Sequence, residues 1–221
     1  MEGLIEFSHN MVDPDRIMEN GGLYVVTIIL FIETGIIIGF MLPGDAMLFI
    51  SGMLISSVDV AHYPFSNELI NLIFWMILFI VAAVNGNFFG YWFGSKFSSL
   101  LEIKQDTWYL KQKHIYATKN FYKKRGSLTI VIARFLPIVR TFAPIVGGAV
   151  NMDFKKFATY NILGALIWVC SFTIAGYIMG DNRWVQNNLL YVILGIFVLV
   201  TLPVIFKFAN NKLKHNTKIS H

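Results

Sequence analysis

The sequence predicts an all-α polytopic membrane protein, an inverted repeat with two opposed re-entrant helical hairpins plus spanning helices. Three observations carry that expectation. Apolar runs of spanning or near-spanning length dominate the chain, and its basic residues gather in two segments. Leu-Pro and Gly-Tyr-x-x-Gly also recur, in the same order, in each half.

Of 221 residues, 56% are hydrophobic and only 14% charged, with a mean hydropathy of +0.60. That is far from a soluble composition. The N-terminus, MEGLIEFSHNMVDPDR, is acidic and lacks a basic n-region, so no cleavable signal peptide is expected. A spanning helix needs ~20 apolar residues. Runs 22–42, 69–94, 128–150, 157–180 and 189–209 reach or approach that length, whereas 46–56 is too short to cross unaided.

The first repeat is expected over 22–94, with a hairpin around Pro43 in "GFMLPGD". A basic linker, 95–127, follows, with Lys96, Lys104, Lys111, Lys113, Lys119, Lys123, Lys124 and Arg125 against Glu102 and Asp106. Its stretch 111–125 reads equally as an amphipathic helix on anionic lipid or as a solvated loop that sets topology. The tail, 210–221, holds Lys212, Lys214 and Lys218 and no acid. By the positive-inside rule both basic segments face the cytoplasm.

Parity then decides the second repeat, 128–180. If 128–150, 157–180 and the C-terminal helix 189–209 all crossed, the lysine tail would lie outside. A hairpin around Pro137 removes one crossing and returns the tail inside, together with Asp153-Phe154-Lys155-Lys156. Proline supplies the break by removing a helix hydrogen bond and restricting the residue before it. Irregular backbone at that depth must be surrounded by protein or a wet cavity. "RFLPIVR" (134–140) parallels "GFMLPGD" (39–45), and "GYIMG" (176–180) parallels "GYWFG" (90–94). The charge rule sets the halves opening to opposite sides, so the duplication reads as inverted, one chain forming a single membrane domain.

Four ionisable residues lie deep in apolar sequence: Glu33, Asp45, Arg134 and Arg140. An arginine at mid-membrane costs roughly 2.5–3.5 kcal/mol on insertion scales, and such residues mark function more often than not. On unbroken helices each pair would sit about 120° apart. Breaks at Pro43-Gly44 and Pro137 let the arms fold toward one point, where the arginines line a cavity close to the acids. Half-helix N-termini there favour an anion. The bland alternative is two buried ion pairs of structural role, which stabilise little, with Asp45 an ordinary helix N-cap.

Asn87 is a candidate lining residue, as are Asn161 and Trp168, though helix packing would use them too. Asn85 reads the same way. Gly147, Gly148, Gly164 and Gly176 read as close-packing sites. Trp92, Trp168, Trp184, Tyr91 and Tyr177 read as interface anchors or packing.

The histidines, at 9, 62, 114, 215 and 221, all lie outside the apolar runs, and Cys170 is the only cysteine. No metal site, cofactor, disulfide or embedded proton-relay histidine is therefore expected. No GxxxxGK[ST] occurs, and no serine–histidine or cysteine–histidine arrangement has plausible spacing, so the chain does not read as an enzyme. Lysines that flank membrane runs argue against nucleic acid as a partner.

The stretches "ETGIIIGFMLPGD" (33–45), "NGNFFGYWFG" (85–94), "ARFLPIVRTFAPIVGGAVNMDFKKF" (133–157) and "NILGALIWVCSFTIAGYIMG" (161–180) resemble the DedA family of bacterial membrane proteins. The resemblance implies opposed re-entrant hairpins, several spanning helices, and functional roles for Glu33, Asp45, Arg134 and Arg140. It implies a multi-pass protein of the bacterial cytoplasmic (inner) membrane with a cytoplasmic C-terminus. Members are associated with returning undecaprenyl phosphate to the cytoplasmic face, others with phosphatidylethanolamine movement and proton-dependent phenotypes. Many carry Gly-Asp where this chain has Gly86-Asn87, which puts a proton role at 87 in doubt.

The resemblance thus implies a lipid transporter for carrier recycling, with Arg134 and Arg140 on the phosphate and Glu33 and Asp45 coupling protons or membrane potential. Arginine's planar fork suits phosphate oxygens, and burial and a nearby guanidinium act oppositely on a carboxylate's proton affinity. The alternatives are a phospholipid flippase or scramblase and a small-ion/proton antiporter. Expected partners are undecaprenyl phosphate or another anionic lipid and the surrounding membrane lipids; a homo-oligomer is compatible with each reading.

Overall fold

The computed structural model describes residues 22–36, 43–57, 64–96, 134, 137–180, 182–189, 191, 192 and 195. The linker 97–127, the tail and most of the expected helix 189–209 lie outside the described residues. The described residues are all-α, as the sequence predicts, and no strand occurs among them.

Helix α1 (Leu23–Gly35) starts after Gly22, whose φ of 61° favours glycine. It ends where Ile36 turns extended, its N–H still bonded to the Ile32 carbonyl at 2.9 Å. At 13 residues it is about 20 Å long, short of a ~30 Å hydrocarbon core. The apolar run 22–42 is thus not one spanning helix. Glu33 sits two residues before the helix ends.

Helix α2 (Gly44–Ser57) begins directly after Pro43. Ala46 through Ile55 are all buried, so this short helix shows its neighbours every face. Helix α3 (Glu68–Lys96) is capped by Asn67, whose Oδ1 accepts from Leu69 N at 2.9 Å and Ile70 N at 3.2 Å. Helix α4 (Pro137–Ala149) opens on a proline, which suits a first helical position because its missing N–H has no partner to lose there. Asn151, at φ 51°, then reverses the chain, and its N–H bonds the Gly148 carbonyl at 3.0 Å. Helix α5 (Phe154–Met179) is capped by Asp153, which accepts from Lys156 N at 2.9 Å.

Only α3 and α5 are long and apolar enough to cross a membrane among the described residues. Each buries one face and exposes an apolar one, Ile73, Ile77 and Val81 on α3 and Leu163, Leu166 and Ile167 on α5. An apolar exposed face is what hydrocarbon requires, and water would penalise it.

The packing is reciprocal. The short helix of the first half, α2, lies chiefly on α5, and that of the second, α4, chiefly on α3. Glycines make both crossings close. A Cβ on Gly176 would meet the Phe49 carbonyl, and one on Gly52 would meet the Thr173 carbonyl. In the other half, a Cβ on Gly94 would meet the Ile145 carbonyl, and one on Gly148 the Tyr91 carbonyl. Each Gly-Tyr-x-x-Gly motif is therefore the groove that receives the opposite half's short helix.

Adjacent glycines give a sharp test. Gly148→Ala should destabilise by about 1–3 kcal/mol, because the methyl drives into backbone. Gly147→Ala should be neutral or stabilise by up to ~1 kcal/mol, since its Cβ would meet nothing nearer than Phe157 Cδ2 at 3.8 Å. Thermal melts in detergent decide between them. Equal effects would mean that α3 and α4 do not approach through Gly148.

A second unit begins at Asn182. Its helix α6 (Arg183–Asn187) is five residues, capped by Asn182 Oδ1 accepting from Trp184 N at 2.9 Å.

Candidate functional site

The helix start at Pro137 sets Arg140 in the first turn of α4. Its backbone carbonyl lacks the usual i+4 partner, because residue 144 is proline. Arg140 is 3% exposed and joins both acids. Nη1 donates to Asp45 Oδ1 at 2.8 Å, and Nη2 donates to Glu33 Oε1. Three elements thus converge on one guanidinium: the end of α1, the start of α2 and the start of α4.

Glu33 is wholly buried and Asp45 a quarter exposed. Glu33 Oε2 occupies the space a Cβ on Gly44 would take, so the glycine of Pro-Gly-Asp seats the acid against the N-terminus of α2. Asp45 lies inside the first turn of α2. Its Oδ1 is taken by Arg140 and by the indole Nε1 of Trp168, which donates at 2.7 Å. Asp45 therefore lies in one cluster with Arg140 and Trp168, inside the helix rather than at its N-cap position.

Arg134 has a different environment from the one its sequence position suggests. Its Nη1 donates to the Asn161 carbonyl at 2.5 Å and to Asn161 Oδ1 at 3.2 Å, and Nη2 donates to the Ala83 carbonyl at 3.1 Å. Those acceptors are neutral and come from α5 and α3, so the side chain clasps the two long helices. Among the described residues no acid lies within ion-pair distance of it. Asn161 completes the clasp by donating to the Val84 carbonyl at 3.1 Å. Asn87 donates to Asn161 Oδ1 at 2.7 Å. With its amide turned over, it instead donates to the Thr34 carbonyl at 3.0 Å and accepts from Arg134 Nη2 at 3.1 Å. Both seatings place Asn87 and Asn161 in one polar cluster with Arg134.

The arginines meet across Trp168, which is fully buried. Arg140 Cζ lies 4.6 Å from its ring centroid and Arg134 Cζ 5.8 Å away, both within cation–π range. Among the described residues, three buried polar atoms here have no hydrogen-bond partner: Nε of Arg134, Nε of Arg140 and Oε2 of Glu33. Unpaired buried groups on charged side chains are costly and call for a ligand or a functional reason. Seven of the eight candidate residues from the sequence fall in this region, Asn85 being the exception. Gly44 was not among them, because a cradle for another side chain leaves no signal in composition.

Asn85, by contrast, is exposed and donates to its own helix, to the Val81 carbonyl at 2.8 Å. Tyr91 is packing, stacked on Phe157 at 4.6 Å between centroids and bonded to the Met152 carbonyl.

A model of the VTT domain matches residues 42–178. Protein DedA of Escherichia coli K12 is 39% identical over 95% of this chain and 94% of its own length. An uncharacterised membrane protein of Mycobacterium leprae is 30% identical over 88% of this chain and 82% of its own. The inner membrane protein YqjA of E. coli K12 is 27% identical over 72% and 68%. No solved structure matches the chain.

Proposed function

This chain belongs to the DedA family of VTT-domain membrane proteins, and on that premise we propose that it moves a lipid phosphate across the bacterial cytoplasmic membrane. Undecaprenyl phosphate is the substrate we favour, with transport coupled to proton exchange at Glu33 and Asp45. The observation that carries the reading is the pair of buried arginines around one indole whose Nε–H donors both have no partner among the described residues. A phosphate supplies several acceptor oxygens at once, and guanidinium N–H groups suit it.

In this reading Arg140 is the exchanging residue. Asp45, the more exposed acid, leaves it first as a phosphate oxygen arrives, and Glu33 leaves last. Arg134 stays clasped by its carbonyls and offers only its Nε. A carboxylate that loses its guanidinium in a buried site takes up a proton, since an unpaired buried charge costs several kcal/mol. Losing that proton lets the acid reclaim Arg140 and expel the phosphate. The reciprocal packing of α2 on α5 and α4 on α3 supports an inverted repeat of two re-entrant hairpins. We place the basic linker and the tail on the cytoplasmic side.

A small-ion antiporter fits less well. It needs acids open to a cation, and here both bond to one guanidinium. A phospholipid flippase uses the same donors, so substrate choice must be measured. Purified protein in liposomes, given labelled prenyl phosphate, phosphatidylethanolamine, phosphatidylglycerol and a prenyl alcohol, should exchange the prenyl phosphate between leaflets and leave the alcohol in place. Equal exchange of the alcohol would sink the phosphate reading. Preference for phosphatidylethanolamine would make the flippase the better one.

A further inference from the structure

Trp168 does two things at once in this site. Its indole N–H donates to Asp45 Oδ1 at 2.7 Å, the same oxygen that Arg140 Nη1 reaches at 2.8 Å. Its ring face carries Arg140 at 4.6 Å. The residue therefore contacts both members of the ion pair that a substrate phosphate must part. Indole N–H donates only, so it holds a carboxylate oxygen and offers nothing to a competing cation.

We propose that Trp168 is the positioning residue that keeps Asp45 beside Arg140 while a lipid phosphate occupies the guanidinium, and so sets how readily the phosphate is released. This rests on the proposed function and deepens it. The effect is one of local concentration. Asp45 is a quarter exposed at the first turn of a short helix and could otherwise swing away once Arg140 is taken. Held by the indole, it stays within reach of the guanidinium and competes for it whenever it is ionised. The ring meanwhile fixes Arg140 from its face, which leaves the guanidinium edge for oxygens.

Trp168→Phe separates the two contacts, because it keeps a face for Arg140 and removes the N–H from Asp45. The expected result is release of a fluorescent prenyl monophosphate from purified protein slowed by about tenfold, with tighter equilibrium binding and slower liposome transport. Asp45→Asn, which removes the competing charge, should slow release similarly. The double variant should be no slower than either single, because both changes remove the same competitor. A merely structural tryptophan predicts lower thermal stability with release unchanged, and that result would overturn the proposal. Additive effects in the double variant would do the same.

A readout without lipid separates this inference from the function it rests on. In protein carrying ¹⁵N-labelled indoles, the signal lost in Trp168→Phe should be the one that moves most in Asp45→Asn. If that signal moves while wild-type protein binds no prenyl phosphate, the functional reading has failed and the indole–carboxylate contact stands. If Trp168→Phe does not fold, Asp45→Asn alone must slow release, and unchanged release there overturns the proposal.

Discussion

Arg140→Lys is expected to fold and enter the membrane yet lose most of its hold on a lipid phosphate. The present partners of Arg140 are two carboxylates, and an ammonium serves carboxylates as a point charge, so the local ion balance survives. What lysine lacks is the planar fork and the separate Nε–H donor, which has no partner among the described residues. A hydrogen bond to a charged group contributes about 1.5–3 kcal/mol, so losing one or two should weaken binding by on the order of 10- to 100-fold or more. Arg134→Lys should behave differently. Its three bonds run to carbonyls and an amide on two separate helices, a span that one ammonium cannot copy, so stability should fall by about 2 kcal/mol along with affinity. Binding of prenyl phosphate to both variants, with melting measured alongside, checks the contrast. Full binding by Arg140→Lys would leave Arg140 as a counter-ion to the acids and no more.

That contrast between the arginines marks where the sequence stops being readable. Two arginines six positions apart in one apolar run look equivalent, and their cost at membrane depth flags both. What separates them is their acceptors. Glu33 and Asp45 announce themselves as acids in apolar sequence, so the Arg140 cluster is legible. The carbonyls of Ala83 and Asn161 belong to every residue alike and carry no side-chain signal. Helix starts after Pro43 and at Pro137 fall where proline chemistry puts a helix boundary. The end of α1 at Gly35 was not legible, because the run stays apolar to Leu42 and hydropathy alone does not register a change of backbone direction. Of the glycines, Gly148 and Gly176 are the close-packing sites that small residues in a membrane suggest, whereas Gly147 touches its neighbours only at ordinary distance. Trp168 shows the ambiguity of a buried aromatic, since packing, cation–π contact and hydrogen bonding all ask for the same side chain.

Glu33→Gln tests the proton. With all four side chains ionised, Glu33 and Asp45 balance Arg134 and Arg140, and glutamine leaves the buried group one positive charge in excess. The amide can still accept from Arg140 through its oxygen, but its nitrogen then points donors at the N-terminus of α2 where Glu33 Oε2 now lies against Gly44. Reversing the amide faces donors to the guanidinium instead. Either way one donor is mismatched, at a cost of about 1–3 kcal/mol, so the variant should insert and melt somewhat lower. Its functional signature is sharper. In wild-type protein, phosphate binding should strengthen as pH falls, because the displaced acid takes up a proton and ceases to compete for Arg140. Glutamine copies that protonated acid at every pH. Prenyl phosphate affinity should therefore be higher, with its pH dependence reduced to that of Asp45 and of the phosphate's own second ionisation, while transport falls by on the order of 10- to 100-fold for want of a returning anion; tenfold in rate corresponds to about 1.4 kcal/mol. Affinity and liposome exchange measured between pH 5 and 9 would decide the matter. A wild-type rate with a wild-type pH profile in Glu33→Gln would exclude proton exchange through this acid and leave its bond to Arg140 as structural.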